Sequence, residues 1–269
     1  MAITTLNGVI NNLAQPIQIL KNSPTPVANR LTTLFYQAGN PAGASVSTAG
    51  VAGEALTAYT GQLPFTNSDT KNTYLGRFSA SIYSAALSTM GTLFLCDRLW
   101  HNSGLLTNTT SPQTVNSVTY PARDINQSVN GEGIFLGVEI TSVFAATACI
   151  LSITYTSSTD VAATTTISLP ASAAAFGFFP VPLVSGHTGV KAIGTVTSSA
   201  IVATGAYSLV AYRVISSVDM QTAGKTNSVD AFTSGFPRLF NNSVPFLLLY
   251  PESANGTPVV SAQLTYTQG

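Results

Sequence analysis

Two histidines and two cysteines are the residues of this chain best suited to catalysis or metal binding. His101 follows Asp97 by four residues, which places the two on one side of a helix or on one face of a strand. A Ser–His–Asp hydrolase would also need a nucleophile elbow, and the sequence has no Gly-x-Ser-x-Gly motif. Cys96, Cys149 and His187 add no ligand spacing typical of zinc fingers or zinc proteases. We therefore predict no catalytic, cofactor-binding or metal-binding residue.

The acidic residues offer no better candidate for catalysis. Glu132 and Glu139 are seven positions apart in a region of strand character, so we expect them on opposite faces or far from each other. A glycosidase needs two carboxyl groups within roughly 5–10 Å. Residues 130–133 (Asn-Gly-Glu-Gly) indicate a turn before a strand, with a bound cation as the alternative. Both the P-loop and the dinucleotide-binding glycine motif are missing, so the sequence disfavours an enzyme.

The cysteines and one aromatic cluster have structural interpretations. Cys96 and Cys149 each lie in an apolar run, so we expect two buried, reduced thiols rather than a disulfide. Phe176, Phe178 and Phe179 form a cluster flanked by prolines. Such a cluster could stack on a sugar or a partner, but it more often fills the space between two sheets.

The composition excludes several classes of protein. Ten basic and ten acidic side chains make up only 7% of the 269 residues, against roughly 25% in an average protein. The basic residues are scattered singly, which excludes a surface for nucleic acid. Coiled coils and helical bundles need more Glu, Lys and Arg, and a hydrophobic fraction of 45% argues against disorder. A net charge of zero favours self-association.

No segment predicts export or membrane insertion. The first eight residues have neither a basic region nor an apolar one of the signal-peptide type. The most apolar stretches, 143–153 and 173–184, are short and interrupted by Thr, Ser or Pro. We expect synthesis in the cytoplasm and no membrane partner.

Short apolar runs separated by Gly, Pro, Ser and Asn predict a mainly β protein, an antiparallel β-sandwich or jelly roll. Between residues 3 and 20, apolar residues recur at three- and four-residue steps, which predicts an extended, partly helical N-terminal arm. We assign residues 1–90 to this arm and an irregular region packed on the β domain or a neighbour, and residues 91–269 to the β-sandwich. The predicted strands are 92–99, 117–120, 133–141, 149–156, 164–169, 176–181, 189–196, 206–215, 246–250 and 259–266, with 216–242 as a loop.

Three parts of the sequence resemble virion structural proteins of tailed bacteriophages. The first comprises 97–104 and 113–117, the second 120–141, and the third 186–191 together with 208–213. The resemblance implies a particle component of the capsid decoration (cement) type. It carries over no catalytic or ligand-binding residues.

These observations together predict a non-enzymatic structural protein of a phage particle. We expect it to bind the capsid exterior, to contact the major capsid protein and to stabilise the shell as a homo-oligomer. The resemblance favours a homotrimer, because shell subunits meet at local threefold positions. The alternative is a tail, fibre or baseplate component that contacts the host surface, with a carbohydrate as a candidate ligand. Either role places the protein in the virion.

Overall fold

The computed structural model describes residues 5–45, 53–83, 90–253 and 256–269, and these form a mainly β, antiparallel protein. One short helix, α1 (Leu6–Asn11), precedes the strands. The strands in the described residues are β1 (Ile17–Asn22), β2 (Thr32–Thr33), β3 (Gly39–Asn40), β4 (Glu54–Ala55), β5 (Thr73–Tyr83), β6 (Gly91–Leu105), β7 (Gln113–Thr114), β8 (Phe135–Ser142), β9 (Cys149–Ser157), β10 (Ala162–Leu169), β11 (Phe178–Pro180), β12 (Val190–Ser198), β13 (Ala206–Met220), β14 (Asn227–Asp230), β15 (Arg238–Leu239), β16 (Pro245–Pro251) and β17 (Val259–Gln268).

The chain divides into two compact units, each with its own cluster of buried apolar side chains. The first unit comprises Met1–Ser45, Ala58–Asp97 and Val214–Gly269. The second unit comprises Val46–Thr57 and Arg98–Arg213. The two long strands β6 and β13 each contribute residues to both units.

The first unit is built on a six-stranded antiparallel sheet. Strands β14, β5, β17, β1 and β3 follow one another in this order, and β15 also pairs with β5. A second group of strands consists of β2, β16 and the first half of β6. Phe78 and Ile82 of β5 belong to the same buried apolar cluster as Leu247 and Leu249 of β16, as expected for a β-sandwich.

The second unit contains a four-stranded antiparallel sheet with the order β10-β9-β12-β7. Strands β11, β8 and the first half of β13 also belong to this unit and pair in that order, and β4 pairs with the second half of β6. Alternate residues of β9, such as Leu151 and Ile153, are buried, and those between them are partly or fully exposed. Leu151 and Ile153 share an apolar cluster with Leu136 and Val138 of β8. In β9, the apolar residues that recur at every second position of the sequence are therefore the buried ones.

The predicted extended, partly helical N-terminal arm is wrong. Helix α1 has only six residues, none of them buried. Residues 17–22 form β1 inside the six-stranded sheet, where β1 pairs with β17 on one side and with β3 on the other. The apolar spacing was misleading because the buried Ile19 alternates with exposed Gln18 and Leu20, which is the period of a strand and not of a helix.

Most of the predicted strands are confirmed, with boundaries shifted by a few residues. Two predictions are wrong: residues 117–120 form no strand, and the predicted loop 216–242 contains the end of β13 together with β14 and β15. Strand β5, which pairs with β17 along ten register positions, was missed. The mainly β, antiparallel class is confirmed.

The placement of β1 in the sheet predicts very different costs for two adjacent substitutions. Ile19→Ala should lower the free energy of unfolding by about 2–4 kcal/mol, because it leaves a cavity in the apolar cluster of the first unit. Leu20→Ala removes a side chain that is 48% exposed and should cost about 0.5 kcal/mol or less. Urea unfolding of both variants provides the measurement. Equal losses of unfolding free energy in the two variants would contradict the placement of β1 in the sheet.

Candidate functional site

The second unit contains a completely buried ion pair. The side chains of Arg98 on β6 and Glu139 on β8 are both 0% exposed. The guanidinium donates from Nη1 to Oε1 over 3.0 Å and from Nη2 to Oε2 over 2.7 Å. Two parallel, charge-assisted hydrogen bonds fix the relative orientation of both side chains. This geometry suits a structural pair, because both carboxylate oxygens of Glu139 already accept hydrogen bonds.

His101 extends this buried network. Arg98 Nε donates to His101 Nδ1 over 3.2 Å, so the hydrogen-bond pattern assigns the ring hydrogen to Nε2. Nε2 lies 2.7 Å from Oε1 of Glu54 and donates to it. Burial, and then the positive charge of Arg98, lower the pKa of His101 to about 3. The imidazole is therefore neutral near pH 7 and has both nitrogens engaged, which leaves it poorly suited to general-base catalysis.

The lowered pKa of His101 predicts a pH dependence of stability. The unfolded chain binds a proton at His101 below the ordinary pKa of 6.5, and the folded chain does so only near pH 3. The free energy of unfolding should therefore fall as the pH is lowered from 6.5 towards 3. Replacing His101 by Gln should remove this contribution and flatten the slope, as measured by urea unfolding at several pH values. If the free energy of unfolding changed equally with pH in the variant and the unchanged protein, the lowered pKa of His101 would be refuted.

Arg123 and Asp124 organise neighbouring segments of the second unit. Arg123 is 2% exposed, and its guanidinium donates to the backbone oxygens of Leu56 over 2.8 Å and Arg98 over 3.1 Å. The carboxylate of Asp124 accepts the backbone N–H of Ser128 over 2.7 Å and the Ser128 hydroxyl over 2.6 Å. Sequence reasoning missed both residues, because their partners are mainly backbone atoms that no side-chain motif reveals.

The same carboxylate explains the predicted turn at 130–133. Asp124 Oδ2 accepts the backbone N–H groups of Gly131 and Glu132, each over 3.2 Å. Because N–H donors converge on this point, the loop is suited to a negative group, and Asp124 supplies it. The structure favours the turn interpretation over a cation site. Glu132 itself accepts the hydroxyl of Thr188 over 2.8 Å.

The other candidate residues also take part in structural contacts. Asp97 accepts the Ser243 hydroxyl over 3.0 Å and the Val244 N–H over 2.8 Å. His187 Nδ1 lies 2.8 Å from the Tyr155 hydroxyl. No cluster of three or more His, Cys, Asp or Glu side chains that could bind a metal occurs in the described ranges.

Both cysteines are buried thiols. Cys96 is 0% and Cys149 5% exposed. Burial raises the pKa of the Cys149 thiol, which disfavours the reactive thiolate.

Within the phenylalanine cluster, Phe179 packs against the apolar cluster of the second unit, and Phe178 is buried and only 1% exposed. Its ring lies against Gly137 of β8, where an added Cβ would come within 2.2 Å of the ring. The Tyr212 ring packs edge-on with a centroid distance of 5.2 Å. Phe178 is therefore not available for stacking on a sugar.

The surface of both units carries large apolar side chains. The most exposed is Phe232 of the first unit at 75%. It stands in a turn where the Asp230 carboxylate accepts the N–H groups of Phe232 over 3.0 Å and Thr233 over 2.9 Å. Further examples are Leu6, Ile10 and Tyr83 in the first unit and Leu106, Ile125, Val143 and Ile201 in the second. Exposed aromatic side chains on rigid turns are suited to anchoring a partner.

Strand β10 of the second unit forms an open edge of the four-stranded sheet. It pairs with β9 along its whole length, and among the described strands none pairs with its other side. Its sequence, AATTTISL, contains neither charge nor proline. The edge strands of protein β-sheets are commonly protected by Lys, Pro or β-bulges. An unprotected edge of this length can accept an extended segment from another chain.

A furrow of about 410 Å³ lies over the face of this sheet and is lined by residues of β10, β9 and β12. Thr154 and Thr164 contribute to its lining, and Gly194 keeps it open. A Cβ at Gly194 would lie 2.5 Å from Thr154 Oγ1.

Comparison with known proteins assigns no family to this chain. No protein-family model matches it, and no curated protein does so either. A solved structure of the infectious bursal disease virus VP2 subviral particle aligns over 95% of this chain and 80% of that one, at 11% identity and a TM-score of 0.21. The structure of the Gx strain of that virus aligns over 95% and 79%, at 10% identity and a TM-score of 0.21. At such a TM-score the backbones do not superpose as one fold.

The described residues include no helix with the length and hydropathy of a membrane span.

Proposed function

We propose that this protein is a non-enzymatic structural component of a phage particle, which binds the capsid exterior and stabilises the shell as a decoration protein. One observation carries the proposal. The residues suited to chemistry are engaged in structural contacts, whereas the surface offers exposed apolar side chains and the uncharged free edge of β10. The sequence resemblance of 97–104, 120–141 and 186–191 to phage virion proteins supports the placement in a phage particle.

The free edge of β10 gives this role a physical mechanism. An extended segment of the major capsid protein would pair with β10 through backbone hydrogen bonds. Each such contact is individually weak. A trimer would bind three shell subunits at once, and this multivalency would strengthen attachment without further contacts.

A homotrimer located on the virion surface is part of the proposal. The ten positive and ten negative side chains cancel, so net charge does not oppose self-association. The trimer matches the local threefold positions of a shell, a step that comes from the resemblance. Light scattering of the purified protein measures the oligomeric state, and a monomer at micromolar concentration would contradict this part.

Resistance of attachment to salt tests the proposed interface. At about 1 M NaCl the Debye length is about 3 Å, which screens contacts between exposed charges. Contacts through backbone hydrogen bonds and apolar side chains should persist, so the protein should remain on washed particles. Release by salt alone would show that exposed charges hold it on the shell.

A tail, fibre or baseplate component that contacts a host carbohydrate is the second candidate. One feature of the first unit favours it, a cleft lined by hydroxyl and amide groups.

A further inference from the structure

The outer face of the six-stranded sheet in the first unit contains a small polar cleft of about 190 Å³. This corresponds to roughly six water molecules at about 30 Å³ each, the space of about one sugar ring. Its polar lining consists of Gln18, Arg77, Ser79, Ser81, Thr226, Ser261 and Gln263. Three strands, β1, β17 and β5, supply most of these residues.

The strand register explains why this part of the sheet is concave. Gln263 of β17 lies directly opposite Gln18 of β1 on one side and Ser79 of β5 on the other. In the next row of the same face, Ser261 lies opposite Ser81. Directly opposed residues of antiparallel strands share a face. Short serine side chains therefore form the floor, and the longer glutamine side chains rise beside them.

Two hydroxyl groups in the floor are open to a ligand. Ser79 and Ser81 are 4% and 5% exposed as whole residues, but neither hydroxyl oxygen is among the buried atoms that lack a hydrogen-bond partner in the described part of the chain. Both side chains line the cleft, so their hydroxyls face its solvent, and a molecule bound there would replace water as their hydrogen-bond partner.

The charges around the cleft favour a neutral ligand. Arg77 Nε donates to the Ser228 hydroxyl over 2.9 Å, and Arg77 lies opposite Asp230 in the pairing of β5 with β14. The positively charged residue thus has a negatively charged one directly opposite it on the neighbouring strand. The remaining groups are hydroxyls and amides, which both donate and accept hydrogen bonds. Sugar hydroxyls have the same double character.

An aromatic ring stands at the end of the same face. Tyr83 follows Ser81 by two positions on β5, so both side chains lie on one side of the sheet. Its side chain is 53% exposed. A half-exposed tyrosine offers an apolar ring face and a polar hydroxyl, and the C–H face of a sugar can pack on such a ring. We propose that this cleft binds a neutral saccharide, with one sugar ring above Ser79 and Ser81 and a neighbouring ring against Tyr83. This site rests on the second candidate function, contact with a carbohydrate, and does not depend on the shell-binding role.

The test begins with the full chain on an array of neutral gluco-, galacto-, manno- and N-acetylglucosamine oligosaccharides, with uronate-containing ones included. We expect neutral saccharides to bind. For the strongest neutral saccharide, Ser79→Ala/Ser81→Ala should weaken binding by about tenfold, the loss of two hydrogen bonds of ordinary strength. Ser81→Gln, which fills the cleft, should abolish binding. Isothermal titration calorimetry measures the affinities.

The matched control is Thr164→Ala/Ser168→Ala, two exposed hydroxyl residues of β10 in the second unit. It should bind the saccharide like the unchanged protein, and all variants should unfold at similar urea concentrations. Absence of binding to every neutral oligosaccharide, or unchanged affinity in both cleft variants, would overturn the proposal. Particle attachment of Ser79→Ala/Ser81→Ala should remain normal, which separates this site from the shell-binding role.

Discussion

Replacing Glu139 by Gln should lower the free energy of unfolding of the second unit by about 3–5 kcal/mol, because the fully buried guanidinium of Arg98 loses its countercharge. Gln has nearly the size of Glu, so the change removes charge with little loss of packing. The protein has one tryptophan, Trp100, which is buried in the second unit. Its fluorescence during urea unfolding therefore reports on the relevant unit.

A second ion pair in the same unit provides the matched control. Lys191 Nζ lies 2.6 Å from Asp160 Oδ1, but the two side chains are 32% and 69% exposed. Asp160→Asn should cost at most about 1 kcal/mol, because solvent screens the exposed pair. The double variant Arg98→Met/Glu139→Leu should recover much of the loss, since no buried charge remains. Equal costs for Glu139→Gln and Asp160→Asn would contradict the buried-pair interpretation.

Two lysines on the edge strand should detach the protein from the particle. Thr164 and Thr166 are exposed residues of β10, and Thr164→Lys/Thr166→Lys introduces the type of side chain that commonly protects sheet edges. If a capsid segment pairs with β10, the affinity for undecorated particles should fall by at least about tenfold, a loss of about 1.4 kcal/mol or more. Co-sedimentation of the purified variant with such particles measures this affinity.

The control places the same charges on the neighbouring central strand. Ile150 and Ser152 of β9 lie opposite Ser168 and Thr166, so Ile150→Lys/Ser152→Lys changes the same sheet face without blocking the edge. This variant should bind particles within a few-fold of the unchanged protein. Comparable loss in both double variants would mean that the face, and not the edge, makes the contact.

The parts of the fold that were predictable from the sequence are those where burial follows one uninterrupted alternation. The β9–β10 hairpin shows this clearly, since Leu151, Ile153 and Tyr155 alternate with Ser152 and Thr154 up to the turn after Ser157. Strand β5 carries a similar signal in its second half, where Phe78, Ala80 and Ile82 are buried. That signal was overlooked because the pairing with β17 shifts its register between Thr265 and Tyr266, which breaks the alternation ahead of Phe78.

Strand β1 was hidden by a charged residue on its buried side. Lys21 is 1% exposed, and its Nζ donates to the backbone oxygens of Gln37 over 3.1 Å and Ala42 over 3.2 Å. Burial lowers the pKa of Lys21 to about 8. A lysine at the position where alternation requires an apolar residue is typical of exposed segments, so the strand was not predicted.

The buried network of the second unit could not be predicted from the sequence, for a different reason. Arg98 and Glu139 are 41 positions apart, and neither belongs to a motif that requires the other. Their meeting depends on the placement of β6 and β8, which tertiary packing determines. His101 likewise contacts charged side chains, those of Arg98 and Glu54, that no local pattern indicates.

The number of copies per particle tests the central claim most directly. Purified phage particles that carry this protein are analysed by quantitative mass spectrometry, with the major capsid protein as the internal reference. A decoration protein of the capsid exterior should be present in a constant ratio to the capsid subunits, and intact particles should lose it to an added protease. Absence from the particle, or a few copies that copurify with the tail, would contradict the account.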